Sequence, residues 1–218
     1  MATSHYNSGI ETLYQRQFEN SKKMKLSAEN IRNNKDLLDY LNHGKRAKYI
    51  LFWGHQNKNG QIDKTCFSQW YNASFEIDGK HYKTAEHFMM AEKARLFSDL
   101  EIRELILQSN SPGEAKRLGR NVKGFNDSIW NNKRFDIVVT ANEAKFSQNE
   151  ALEDYLLSTG KRVLVEASPV DKIWGIGLAE DSPSIDSPYK WRGQNLLGYA
   201  LMETRQRLRL RLRLRLKK

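Results

Sequence analysis

Apolar and polar positions change period several times along the 218-residue chain. The string YILFWG at 49–54 is a short unbroken apolar run, the pattern of a buried strand. SFEID at 74–78 alternates apolar and polar, Gly79 supplies a turn and HYK continues, so a short hairpin is expected there. From Thr84 the pattern becomes helical. T-A-E-H-F-M-M-A-E-K-A-R-L-F runs to Phe97 without a breaker, with Thr84 placed as the N-cap. Further helices are expected over 99–108, 112–120, about 127–147 and 149–158; the second opens on Pro112 and Gly160 closes the last. RVLVE at 162–166 reads as another short strand, a Pro/Ser/Gly-rich loop fills 167–192, and a closing helix starts near Asn195. Strands come early, helices follow, and no regular βαβ alternation appears. The expected fold is α+β, a mainly helical single domain with a few short strands.

The two ends break this pattern. Residues 1–45 are polar and rich in Asn, Lys and Ser. Their few apolar positions are Ile10, Leu13 and Phe18, then Ile31, Leu37, Leu38 and Leu41, and the second set suits one short amphipathic helix. The C-terminal RQRLRLRLRLRLKK has a period of two, which leaves a helix without an apolar face and would give a strand one Leu face and one Arg face. The expected organisation is an N-terminal extension over 1–45, a domain over 46–206, and a basic Arg-Leu tail over 207–218 that frays from the last helix.

Charge follows the same division. The net charge is +10, yet residues 49–204 sum to −2; the excess lies in 1–48 and 205–218. A basic tail raises non-specific affinity for phosphate polymers but does not define the chemistry of the body. The single cysteine, Cys66, excludes an internal disulfide framework and a Cys-based zinc site. His55, His81 and His87 lack metal-ligand spacing, so no metal is expected. No apolar run is long enough to cross a membrane and the first residues lack a signal-peptide core, so a cytoplasmic or nuclear protein is expected. P-loop, dinucleotide-binding G-x-G-x-x-G and G-x-S-x-G motifs are absent.

Three places carry candidate chemistry. On the helix from Thr84, Glu86, Met90, Lys93 and Phe97 share one face, so an apolar stripe includes a carboxylate and an amine. Such charges are paired, used, or partly solvated. In the loop ASPVDKIWGIG, Asp171 precedes Trp174, Gly175 and Gly177; glycines admit close backbone approach, and Trp offers a stacking face or a core plug. In WRGQNLLG, Asn195 sits as an N-cap, where a first helical turn either is simply capped or holds an anion.

Taken together, the strings resemble the NADAR (YbiA-like) family. They are FWGH at 52–55, CFSQWYNASFEIDGKHYKTAEHFMMAEKARLF at 66–97, SPGEAKRLGR at 111–120, ANEAKFSQN at 141–149, LVEASPVDKIWGIGL at 164–178 and GQNLLGYALMETR at 193–205. The resemblance covers roughly 49–206. It implies an enzyme that cleaves N-glycosidic bonds of ribose. One branch resembles hydrolases of riboflavin-pathway intermediates; another resembles hydrolases that remove ADP-ribose from guanine in nucleic acid, some paired with a DNA-modifying toxin. The family's [ST]-x-E-H motif maps onto Thr84, Glu86 and His87, its Lys onto Lys93, and its D-x-x-W-G-x-G loop onto Asp171, Trp174, Gly175 and Gly177. In the riboflavin-type branch the residue between those glycines is Asp; here it is Ile176, which points away from that branch.

Cleavage of a C1′–N bond passes through an oxocarbenium-like sugar. A carboxylate near C1′ stabilises the cation or activates water, and a second group assists departure of the base. Glu86 and Asp171 are the expected carboxylates, with Lys93 as an alternative nucleophile through a Schiff base. Trp174, Gly175, Gly177, Asn195, Arg120 and Lys145 are the expected substrate contacts, the last two for phosphates or else as solvated helix charges. The leading expectation is a hydrolase of ADP-ribosyl-guanine in nucleic acid, acting as a monomer without a cofactor. The alternatives are an N-glycosidase of riboflavin-pathway intermediates and a non-catalytic ADP-ribose- or NAD-binding module. Glu86, Lys93 and Asp171 occurring together argue against the last.

Overall fold

In the computed structural model, which describes residues 27–56 and 60–216, the two apolar runs far apart in sequence pair with each other. Strand β1 (Tyr49–Phe52) lies parallel to β4, which spans Val163–Glu166, in register from Tyr49 opposite Val163 to Phe52 opposite Glu166. Val163, Leu164 and Val165 are fully buried, as the unbroken apolar pattern demands of a strand covered on both faces. The expected hairpin forms from β2 (Phe75–Ile77) and β3 (Lys80–Tyr82), antiparallel. Its turn residues Asp78 and Gly79 both take positive φ, the geometry of a tight two-residue hairpin.

Seven α-helices are described. They are α1 (Asn34–Asn42), α2 (Ala85–Leu96), α3 (Leu100–Gln108), α4 (Pro112–Arg120), α5 (Asp127–Ser147), α6 (Glu150–Ser158) and α7 (Leu196–Arg215). Capping explains their starts. Thr84, Asp99, Ser111 and Asn126 each accept a hydrogen bond from a first-turn N–H through the side chain. Helix α2 is buried nearly all round, packed by α3, α4 and α5, while α7 lies against α5 and β4. The fold is therefore mainly helical with few short strands. No described helix is long and apolar enough to cross a membrane.

The N-terminal stretch docks from Ser27 onward. Ile31 and Leu37 are buried, Arg32 Nε pairs with Glu203 at 2.6 Å, and Tyr199 Oη donates to Asn34 Oδ1 at 2.9 Å. Ile10, Leu13 and Phe18 lie outside the described residues. At the other end, α7 runs into the Arg-Leu segment as a helix instead of fraying at 206. Leu208 is fully buried, and Arg209 Nη2 donates to the carbonyls of Leu157 and Gly160 at 3.3 and 2.7 Å. Leu157 lies in the last turn of α6 and Gly160 just past its C-cap, so Arg209 caps the end of that helix. From Leu210 most side chains are exposed.

Candidate active site

The Thr84 cap fixes where the first carboxylate goes. Thr84 Oγ1 accepts from His87 N and lies 2.8 Å from His87 Nδ1, so the imidazole is held at the cap. Glu86, in the same first turn, faces the other way, and its backbone N–H donates to Gln69 O at 3.0 Å. Helix periodicity then carries Met89, Met90 and Lys93 onto the Glu86 face. These residues line a cavity of about 210 Å³ with Trp70, Lys116, Arg120, Trp130, Glu166, Asp171 and Trp174. Of the stripe expected on α2, Glu86, Met90 and Lys93 form a cavity wall, and Phe97, the C-cap, does not line it.

Helix α4 forms the opposite wall. Gly119 packs directly on Met90, where a Cβ would collide with the Met90 side chain. That close approach brings Lys116 and Arg120, one turn apart on α4, to the cavity. Lys93 Nζ donates to Gly119 O at 2.8 Å and sits 4.2 Å from the centre of the Phe125 ring. Burial holds its pKa below the ordinary lysine value, opposed by the charge of Asp127.

The third wall is the loop after β4. Asp171 Oδ1 accepts from the N–H groups of Ile173 and Trp174 at 2.8 and 2.7 Å, which closes the turn and presents the Trp174 ring to the cavity. The following backbone is stitched to the segment before α7. Arg192 N donates to Ile176 O, Gln194 N to Lys172 O, Asn195 N to Gly175 O and Leu197 N to Trp174 O.

Electrostatically the cavity is a site of crowded carboxylates. Glu86 is 2% exposed, and its Oε1 has no hydrogen-bond partner among the described residues. Burial pushes its carboxyl up to about 7; Lys116, a hydrogen bond from Trp70 and Arg120 oppose the shift, and Asp171 adds to it. Glu166 ends β4 with a buried, unpartnered Oε2. Burial and then the charge of Asp171 push it up to about 8.

Glu86, Lys93, Asp171, Trp174 and Arg120 therefore meet at one cavity. The remaining expected residues do not line it. Lys145 lies elsewhere, fully buried, donating to Cys66 O at 2.7 Å and Ser68 O at 2.9 Å. It ties α5 to the loop that carries Gln69 and Trp70, and no phosphate reaches a side chain so enclosed. Asn195 takes a left-handed conformation at the start of α7 and makes no side-chain cap. Its amide bridges β4 instead, Oδ1 accepting from Glu166 N at 3.0 Å and Nδ2 donating to Leu164 O at 2.9 Å. Gly175 and Gly177 admit protein, not ligand. A Cβ on Gly175 would meet Glu166 O at 2.9 Å, and Gly177 combines a φ of +67° with contact to Arg192.

Glu166, Lys116, Trp70 and Trp130 do not stand out in the sequence. Glu166 has a usable signal there, a carboxylate closing the apolar run RVLVE immediately before the Asp171 loop. Lys116 and Trp130 carry none, because only the packing of α4 and α5 on α2 turns them inward, and Trp70 carries none because it reaches the cavity from the turn after Phe67.

The sequence profile described as the NADAR domain matches residues 51–209. The chain is 44% identical over 164 residues to the N-glycosidase R617 of Acanthamoeba polyphaga mimivirus, covering 73% of this chain and 95% of that protein. It is 32% identical over 168 residues to the N-glycosidase YbiA of Escherichia coli, covering 77% and 93%. The solution structure of Escherichia coli YbiA superposes with a TM-score of 0.62 at 28% identity, over 85% of this chain and 94% of that one. A chloroplastic riboflavin biosynthesis protein of Zea mays, PYRR, is 34% identical over 134 residues, 58% of this chain but 20% of that protein.

Proposed function

We propose that this chain, which belongs to the NADAR domain family, hydrolyses an N-glycosidic bond of ribose, and that its substrate is ADP-ribosylated guanine in nucleic acid. The observation that carries the reading is the carboxylate of Glu86, buried in a cavity wall with Oε1 unpartnered and cations beside it. A buried carboxylate of this kind is poised to face developing positive charge. As the C1′–N bond lengthens, the ribose takes on oxocarbenium character, and charged Glu86 stabilises it or draws a proton from the attacking water. Asp171 holds the Trp174 loop through one oxygen and adds its charge to the same site.

Lys116 and Arg120 suit the diphosphate of an ADP-ribosyl group, since both reach the cavity from one face of α4. The indoles of Trp70, Trp130 and Trp174 suit stacking against a base. Lys93 offers a second route to the same products. Its lowered pKa raises the fraction of neutral amine, the form that attacks C1′ and passes through a Schiff base.

The riboflavin-pathway reading rests on the likeness to the Zea mays riboflavin biosynthesis protein. Against it, Ile176 stands where that branch carries Asp, and it is fully buried among apolar residues, where an unpaired carboxylate would be costly. Nucleic acid as partner is favoured by the exposed arginines that continue α7 past Arg209. The deciding experiment incubates the protein with a guanine-ADP-ribosylated oligonucleotide and, separately, with the riboflavin intermediates, and follows released product by mass spectrometry. Release of ADP-ribose from the oligonucleotide alone is expected. Turnover of only the riboflavin intermediates would replace this substrate with the second one.

A further inference from the structure

The N-glycosidase reading leaves one chemical task unassigned. Guanine is a poor leaving group as an anion, so a proton must reach its nitrogen as the C1′–N bond breaks. Glu86 is better placed for the opposite duty. Its carboxylate has Lys116 and Arg120 beside it and a hydrogen bond from Trp70, and all three favour the charged form. Asp171 has Oδ1 committed to the N–H groups of Ile173 and Trp174. Glu166 remains, a half-buried titratable group lining the same cavity that no step has used.

Three observations make Glu166 suitable. Its main chain is fixed at both polar atoms, the N–H donating to Asn195 Oδ1 at 3.0 Å and the carbonyl accepting from Ile176 N at 3.0 Å. Its Oε2 is buried and meets no donor among the described residues. The charged groups that act on it are Asp171, Lys116 and Glu86, and two of the three are carboxylates. A carboxyl whose buried oxygen meets no donor, beside negative charge, keeps its proton and holds it free to give. We propose that Glu166 is the general acid of the reaction, a catalytic residue that protonates the departing base.

The step balances. The electron pair of the C1′–N bond goes to the base nitrogen, which takes the Glu166 proton. Water adds its oxygen to C1′ and gives one proton to Glu86. The products are the free base and a ribose with a C1′ hydroxyl, and one proton returned from Glu86 to Glu166 through solvent restores the enzyme. The states needed at the start are charged Glu86 and neutral Glu166. Their environments order them that way: Lys116, Arg120 and the Trp70 hydrogen bond favour charge on Glu86, whereas of the groups that act on Glu166 only Lys116 does. Asn195 acts as a positioning residue, since its bridge to β4 sets the Glu166 backbone.

The proposal rests on the N-glycosidase reading, and the test separates the two. The unaltered protein and Glu166→Gln are compared on an ADP-ribosylated guanine oligonucleotide and on the matching ADP-ribosyl 4-nitrophenyl glycoside, whose nitrophenolate leaves without protonation. For the guanine substrate Glu166→Gln is expected to lower kcat at least ~10²-fold. For the nitrophenyl glycoside it should change kcat by no more than a few-fold, whereas Glu86→Gln loses both. The alkaline fall of the unaltered protein's rate should appear with guanine and be absent with nitrophenol, a readout that holds even where Glu166→Gln fails to fold. An equal loss on both substrates, or the same alkaline fall with both, overturns the proposal and leaves N-glycosidase activity standing. An unaltered protein that cleaves neither substrate removes the ADP-ribosyl-guanine reading and this proposal together.

Discussion

Lys145 and the cavity carboxylates are two of the places where charge is buried among the described residues, and the two are built in opposite ways. In the seam between α5 and the 66–68 turn, the Lys145 ammonium donates to two main-chain carbonyls and does not line the cavity. In the cavity, Glu86 and Glu166 each keep a buried oxygen without a partner among the described residues. Both arrangements push pKa values in the direction burial dictates, Lys145 down to about 8 and the two carboxyls up. The perturbation alone therefore does not separate structure from function. What separates them is whether the hydrogen-bonding capacity is met: met, a buried charge fastens elements together; unmet and facing a cavity, it is held for a substrate.

The largest effect should come from the seam. Lys145→Met keeps the volume but removes the side-chain donor from the Cys66 carbonyl and leaves the Ser68 carbonyl with the Tyr71 N–H alone. The expected loss is about 3 kcal/mol of stability, roughly 6–12 °C in melting temperature. An unchanged melting temperature with lost activity would place Lys145 in the reaction and collapse the contrast.

Next comes the cavity. Glu86→Gln should lower kcat at least ~10²-fold, near 2.7 kcal/mol of barrier, while the fold persists. Its stability effect should have the other sign. The folded-state carboxyl at about 7 lies above its ordinary 4.5, so the folded protein binds this proton more tightly than the unfolded chain. That stabilisation is complete below the unfolded pKa and is lost as pH rises through about 7. Glutamine never ionises, so the melting temperature of Glu86→Gln relative to the unaltered protein should climb between pH 5 and pH 8. A gap that stays flat or shrinks would mean that Glu86 is not the buried carboxylate described.

Lys93 sharpens the comparison because it belongs to both sides. It donates to a carbonyl as Lys145 does, yet it lines the cavity. If it attacks C1′, borohydride added during turnover should trap a covalent adduct, read by intact mass and absent in Lys93→Ala. An active Lys93→Ala without any adduct would make Lys93 a clasp between α2 and α4.

The smallest effect belongs to the end of α7. Leu208 and Arg209 pack on the body, whereas most of residues 210–216 project from it. Removing 210–218 should leave melting temperature and turnover of a mononucleotide-sized substrate nearly unchanged. On an oligonucleotide it should flatten the salt dependence by about 0.7–0.9 in log–log slope for each phosphate that the segment neutralises. Equal slopes would show that the segment neutralises none.

Local pattern was sufficient for most elements and part of the site. Caps and period place the hairpin within 74–82 and α2 within a residue of its observed ends, because these depend on contacts between near neighbours. The motif-bearing residues Glu86, Asp171 and Trp174 were legible because each sits in a string with its own local geometry. The parallel pairing of β1 with β4 was not, since it is set by burial of apolar surface across the whole chain. Asn195 and Lys145 show the same limit from the other side. A capping Asn and a helical Lys look ordinary in sequence, and only their long-range partners turn one into a brace for β4 and the other into a buried clamp.

The sequence by itself therefore determined the helices, the hairpin, the division of charge between body and ends, and the α2 stripe, all properties that residues within a few positions settle among themselves. Tertiary structure alone decided that Glu166 joins Glu86 in one cavity, that Lys116 and Arg120 face them, and that Lys145 does not. The physical reason is that protonation, desolvation and hydrogen-bond satisfaction depend on every group within a few ångströms, and β4, α2 and α4 come that close only after the chain has folded.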